Sequence, residues 1–191
     1  MNKFFSNGLV LMLASLPVAA FAHMGQGDHG FMDGLTHPFL GVDHLLAMLV
    51  VGIWSVLHGR NVWLAPICFI VLLTIGTLLG QQGFTVPRLE PLIAASVLVL
   101  GVMLTHPFKL GTPAALALVG SFAVFHGMAH GGELSAGTGV LVGIILGSAL
   151  LHATGMIVAH FFLKGRPRLA RCFGQLVAML GGGLILSSVL G

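Results

Sequence analysis

Apolar stretches of about 20 residues follow one another along almost the whole chain, separated only by short polar breaks. About 20 apolar residues is the length an α-helix needs to cross the hydrocarbon of a bilayer. In lipid every backbone N–H and C=O must be bonded internally, so only helices and closed barrels can span. Long continuous runs without period-two alternation read as helices. Only 7% of the 191 residues are charged, whereas a soluble domain carries about 25%. The expectation is an all-α, polytopic membrane helix bundle. Six spans are expected, over 35–57, 62–80, 90–105, 114–133, 139–163 and 172–190. The breaks carry turn residues, such as His58 to Asn61, Gln81 to Gly83, and Lys164 to Pro167. No linker is long enough to separate a pair of soluble domains, so residues 35–191 are read as one transmembrane domain.

The first 22 residues read differently. Lys3 makes a basic start, Phe4 to Leu16 is a short apolar run, and Ala20-Phe21-Ala22 has the small-residue pattern of a cleavage site. Residues 1–22 are expected to be a removed signal peptide, and 23–34 a periplasmic tail. With residue 23 outside, the inner loops hold Arg60, Lys109, Lys164, Arg166, Arg168 and Arg171, and the outer loops hold Arg88 alone. This satisfies the positive-inside rule and places both mature termini in the periplasm of a bacterial inner membrane. The basic residues sit in short loops, so the net charge of +3 gives no reason to expect nucleic acid as a partner. Leu35-Thr36-His37-Pro38-Phe39 is echoed by Leu104-Thr105-His106-Pro107-Phe108, three spans later. An odd offset inverts the second copy, the plan of many secondary transporters.

Ten histidines stand against five acids. In "FHGMAHGGE", helical geometry at ~100° per residue puts His130 ~40° and Glu133 ~20° from His126, so the three share a stripe. In "HPFLGVDH", Pro38 suits a first helical turn. His44 then falls two turns beyond His37 on the same face, with Asp43 beside it. Ionisable groups at membrane depth are costly and face the bundle interior, so they mark a site. The expected topology puts His37, Asp43 and His44 in the outer half of the first span, and His126, His130 and Glu133 in the outer half of the fourth. If those spans touch, four imidazoles and two carboxylates converge.

That donor set suits Ni²⁺, Zn²⁺, Co²⁺ or Cu²⁺; thiolate centres are disfavoured and Mg²⁺ would want more oxygen. His152, near the middle of the fifth span, is read as either a relay ligand or helix–helix glue. His23 and His29 in the Gly-rich tail give a secondary chelating site or a plain disordered tail. His58, His106 and His160 are read as helix–helix hydrogen-bonding groups. Cys68 and Cys172 form no C-x-x-C and are read as small buried helix residues.

The two motifs together, on a chain with a signal peptide and six spans, resemble the HupE/UreJ family. That family comprises small membrane proteins associated with nickel delivery to hydrogenase and urease, described as secondary permeases. The resemblance implies a metal site at His37, Asp43, His44, His126, His130 and Glu133, and selects Ni²⁺ from the metals above. It implies non-ATP-driven transport toward the cytoplasm, with no permanently bound cofactor, and is compatible with a homo-oligomer. No G-x-x-x-x-G-K-[ST] phosphate loop occurs. The same residues fit a membrane-embedded metal-dependent hydrolase. A haem-binding membrane protein is the third reading, which acids beside the histidines argue against.

Overall fold

The computed structural model describes residues 30–59, 61–105, 110–134 and 137–190. Every regular element among them is helical: α1 (Phe31–Leu40), α2 (Val42–His58), α3 (Leu64–Gln81), α4 (Leu89–Thr105), α5 (Thr112–Glu133), α6 (Thr138–Val158) and α7 (Pro167–Leu190). A single π-helical turn, Ala159–Leu163, prolongs α6. The chain is an all-α polytopic membrane bundle. Four elements are long and apolar enough to cross a bilayer: α3, α5, α6 with its π turn, and α7. A fifth span is available if the α1–α2 pair counts as one, and α4, at 17 residues, is shorter. The expected signal peptide, and with it His23, His29, Arg60, His106 and Lys109, lies outside the described residues.

The expected first span is not continuous. Its helix starts at Phe31 rather than 35, ends at Leu40, and resumes after Gly41 with a bend of 83°. Pro38 is the eighth residue of α1, not in its first turn. A proline inside a helix donates no N–H and crowds the carbonyl four residues back, so it ends the helix soon after. Gly41 is extended (φ −84°, ψ 122°) and serves as N-cap of α2. His37 and His44 therefore belong to two helices and not to one face of one helix.

Small residues set the packing. Lipid supplies no hydrophobic drive between helices, so close backbone approach through glycine supplies the contact. In α3, Gly76 and Gly80 lie against α5, while Gly127 and Gly131 of α5 lie against α3; a methyl at Gly127 would overlap the Leu73 carbonyl. Gly101 of α4 meets Gly174 and Ala178 of α7. Gly52 of α2 meets the His152 carbonyl, and Gly155 of α6 meets the Leu49 carbonyl. Gly143 and Gly147 receive α1 on the first half of α6.

The most extensive interfaces are thus α3 with α5, α4 with α7, and α6 with the α1–α2 pair. Taking α1–α2 as one element, exchange of the first three elements with the last three leaves this pairing unchanged. That is the pattern an inverted three-element repeat requires. The second copy of the sequence echo, from His106 to Phe108, lies outside the described residues.

Candidate metal centre

The end of the bundle where α5 finishes and α6 begins gathers both motifs. α1 lies on α6 there and carries His37; α2 starts there with Asp43 and His44; α5 finishes there with His126, His130 and Glu133. The ring centroid of His44 is 4.4 Å from that of His130 and 4.8 Å from that of His126. His37 stands 4.8 Å from His130 and 6.3 Å from His44. Nε2 of His37 is 3.1 Å from Oε2 of Glu133. All six residues expected at the site are therefore neighbours, despite the break at Gly41.

Asp43 organises the α2 start. Its Oδ1 accepts the His44 backbone N–H at 2.7 Å, one of the donors a helix N-terminus leaves without an intrahelical partner. The same oxygen lies 2.8 Å from Nδ1 of His44. A carboxylate accepts, so Nδ1 carries the proton and the lone pair of His44 sits on Nε2. His126 is fixed alike, with Nδ1–H donating to the Phe122 carbonyl at 2.9 Å. Such outer partners fix the tautomer and orient a ligating imidazole.

Burial grades along the cluster. The side chains of Glu133, Asp43 and His37 are 59%, 31% and 23% exposed, whereas His44 is 6% exposed and His126 and His130 are 0%. Nε2 of His44, Nε2 of His126 and both ring nitrogens of His130 are buried with no hydrogen-bond partner. A buried polar group left unpaired costs about 1–3 kcal/mol. One of the two His130 nitrogens carries its ring proton, so the cluster leaves three lone pairs and one N–H buried without partners, the donor atoms a ligand site would offer. Among the described residues, no three His, Cys, Asp or Glu side chains are arranged to hold one ion together. The two carboxylates are engaged with His44 and His37, and the rings pack edge to face. Shared coordination of one ion would require these side chains to leave this arrangement.

Other expected residues are placed apart. His58 stacks on Trp54 at the far end of α2, with centroids 6.2 Å apart. His160 lies in the π turn against Phe161. His152 is buried in α6, its ring 5.0 Å from Phe69, which in turn is 5.8 Å from His126. Phe69 and Gly41 carry no signal in the sequence. An apolar ring in an apolar helix breaks no pattern, and a glycine between two motif residues looks like an ordinary spacer. Both cysteines are free, but Cys68 is only half-buried and Cys172 is exposed, against the expectation that both are buried.

Comparison with known proteins agrees with the two motifs. The family model described as "HupE / UreJ protein" matches residues 10–184. The chain is 39% identical over 181 residues to "Protein HupE" of Rhizobium leguminosarum bv. viciae, covering 92% of this chain and 95% of that one. No solved structure matches.

Proposed function

Because the chain belongs to the HupE / UreJ family, we propose that it is a secondary transporter of Ni²⁺ or a similar divalent transition metal, moving the ion toward the cytoplasm for metalloenzyme maturation. Membership places it among membrane accessory and permease proteins rather than enzymes, which sets the hydrolase reading aside. The carboxylates beside the imidazoles, Asp43 on His44 and Glu133 on His37, argue against haem ligation. The metal is cargo, not a resident cofactor. The observation that carries the proposal is the meeting of four imidazoles from three helices, α1, α2 and α5, with unpartnered nitrogens of His44, His126 and His130 buried at one end of the bundle.

In this reading Glu133, the most exposed member, and His37 paired with it receive the hydrated ion. His44, His126 and His130 then exchange as nitrogen ligands, with Asp43 orienting His44 and offsetting the charge. Binding through several moderate sites lets an ion leave as well as arrive. The α1–α2 pair counts as one broken span and α4 as a short one, giving six. A broken helix beside the site is the arrangement secondary transporters use at the interface of their repeats. The six-to-one basic bias places the site on the periplasmic side of the inner membrane, with both mature termini there. Residues 1–22 act as a cleaved signal peptide, and His23 and His29 then lie in the periplasmic tail as secondary chelators. The test is uptake of Ni²⁺ into proteoliposomes holding the purified protein, with Co²⁺, Zn²⁺ and Cu²⁺ as competitors. Saturable uptake that Ni²⁺ dominates supports it; uptake no greater than in empty liposomes overturns it.

A further inference from the structure

His152 belongs to neither motif, yet it repeats the construction seen at His126. Its Nδ1–H donates to the carbonyl of Ser148, four residues back, at 2.6 Å. That leaves the lone pair on Nε2, which is buried and has no partner. The ring is 1% exposed. One turn earlier on the same face, the Ser148 hydroxyl is also fully buried and has no partner. Glue between helices would spend these groups on a neighbouring helix. Here His152 bonds only within its own helix, and two buried polar atoms are left over.

Position supports a sequence of steps. His130 and His126 lie three and seven residues from the end of α5, or ~5 and ~10 Å deep at 1.5 Å per residue. His152 lies 14 residues past the start of α6, ~21 Å along it. Between the two levels stands Phe69 of α3, fully buried and in ring contact with both His126 and His152.

We propose that His152, with the Ser148 hydroxyl, is a second binding station for the divalent cation, deeper than the outer imidazole cluster, and that the Phe69 ring is the partition between them. This rests on the transport reading given above. An ion passing from His126 to His152 must move past the Phe69 ring, which lies between the two imidazoles. The partition separates the station that selects the ion from the station that passes it on. His152 is a ligand on the route, and Phe69 is a positioning residue.

The experiment uses the full chain in proteoliposomes with Ni²⁺ alone, together with equilibrium Ni²⁺ binding to the purified protein. His152→Gln keeps a side-chain donor for the Ser148 carbonyl but removes the imidazole. It is expected to lower maximal uptake roughly tenfold or more. Outer-cluster affinity and half-saturation should stay within about twofold, as for sites that do not couple. His152→Cys, which restores a metal-binding atom, should recover more uptake than Gln. Phe69 is read by two variants: Phe69→Leu should raise maximal uptake and Phe69→Trp should lower it. A residue with a packing role alone would lose from both changes. Wild-type uptake by His152→Gln, or loss of outer-cluster affinity together with uptake, overturns the second station. Parallel losses in both Phe69 variants overturn the partition. Failure of the wild-type protein to take up Ni²⁺ at all would instead defeat the transport reading.

Discussion

The ring of His44 stands 4.4 Å from the ring of His130, which joins the start of α2 to the end of α5. Neither residue has a hydrogen-bond partner for its buried Nε2. Two motifs far apart in sequence thus bring unpartnered ring nitrogens together inside a membrane bundle. The proposed function follows from that contact.

The two carboxylates should respond differently to loss of charge. Asp43 holds both the ring and the backbone of His44, so Asp43→Asn should weaken Ni²⁺ affinity about 10–100-fold. Glu133, more than half exposed, should act on capture. Glu133→Gln should raise the concentration for half-maximal uptake more than it lowers the maximum. Uptake curves at matched membrane abundance check both, and equal curves for both variants would contradict the division of roles.

Gly41 offers a sharper test of the same pair. A methyl there would lie 2.8 Å from Oδ1 of Asp43 and 3.0 Å from Nδ1 of His44. The backbone, with φ −84° and ψ 122°, suits alanine, and such a change ordinarily stabilises by about 0.4–1 kcal/mol through the unfolded chain. Gly41→Ala should therefore lose Ni²⁺ affinity while keeping normal yield and thermal stability. Wild-type affinity would show that the Asp43–His44 pair can move aside without consequence.

The glycine seam between α3 and α5 should matter for assembly. A side chain at Gly127 would overlap backbone of α3, whereas a methyl at Gly182 of α7 meets nothing within 4 Å. Gly127→Val should cost about 1–3 kcal/mol or more by overpacking and lower the amount of folded protein in the membrane, while Gly182→Ala should be silent. Thermal aggregation of the purified variants provides the comparison; equal stability would contradict the seam.

Sidedness is open to labelling. With Cys68 and Cys172 replaced, a cysteine at Gly137 should react with an impermeant reagent applied to intact cells, and one at Arg168 should not. Labelling at 168 and not at 137 would invert the topology and direct the site to the cytoplasm.

Much of this is legible in the sequence. Long apolar runs fix helices because lipid allows so few alternatives. The basic bias implies an order of ends, and that order predicts His37, Asp43 and His44 at one level with His126, His130 and Glu133, where the fold brings them together. The break at Gly41 is not legible, because a proline near a helix end reads equally as an N-terminal turn or as a terminator. The face expected to carry both His37 and His44 is therefore wrong, although the cluster itself forms. His152 can be placed in depth but not given a role, since only the folded helix shows that its Nδ1 turns back to Ser148 and its Nε2 meets no partner. The neighbourhood of Phe69 depends on how α3, α5 and α6 pack, which no single run encodes.

The most direct measurement is Ni²⁺ affinity of purified wild type, His44→Ala, His130→Ala and the double variant. If the two motifs hold one ion, losing the second imidazole after the first should add little. A shared ion predicts a coupling of ~0.5–3 kcal/mol between the two substitutions. Additive losses, with no coupling between His44 and His130, would contradict it and leave two motifs that touch without sharing an ion.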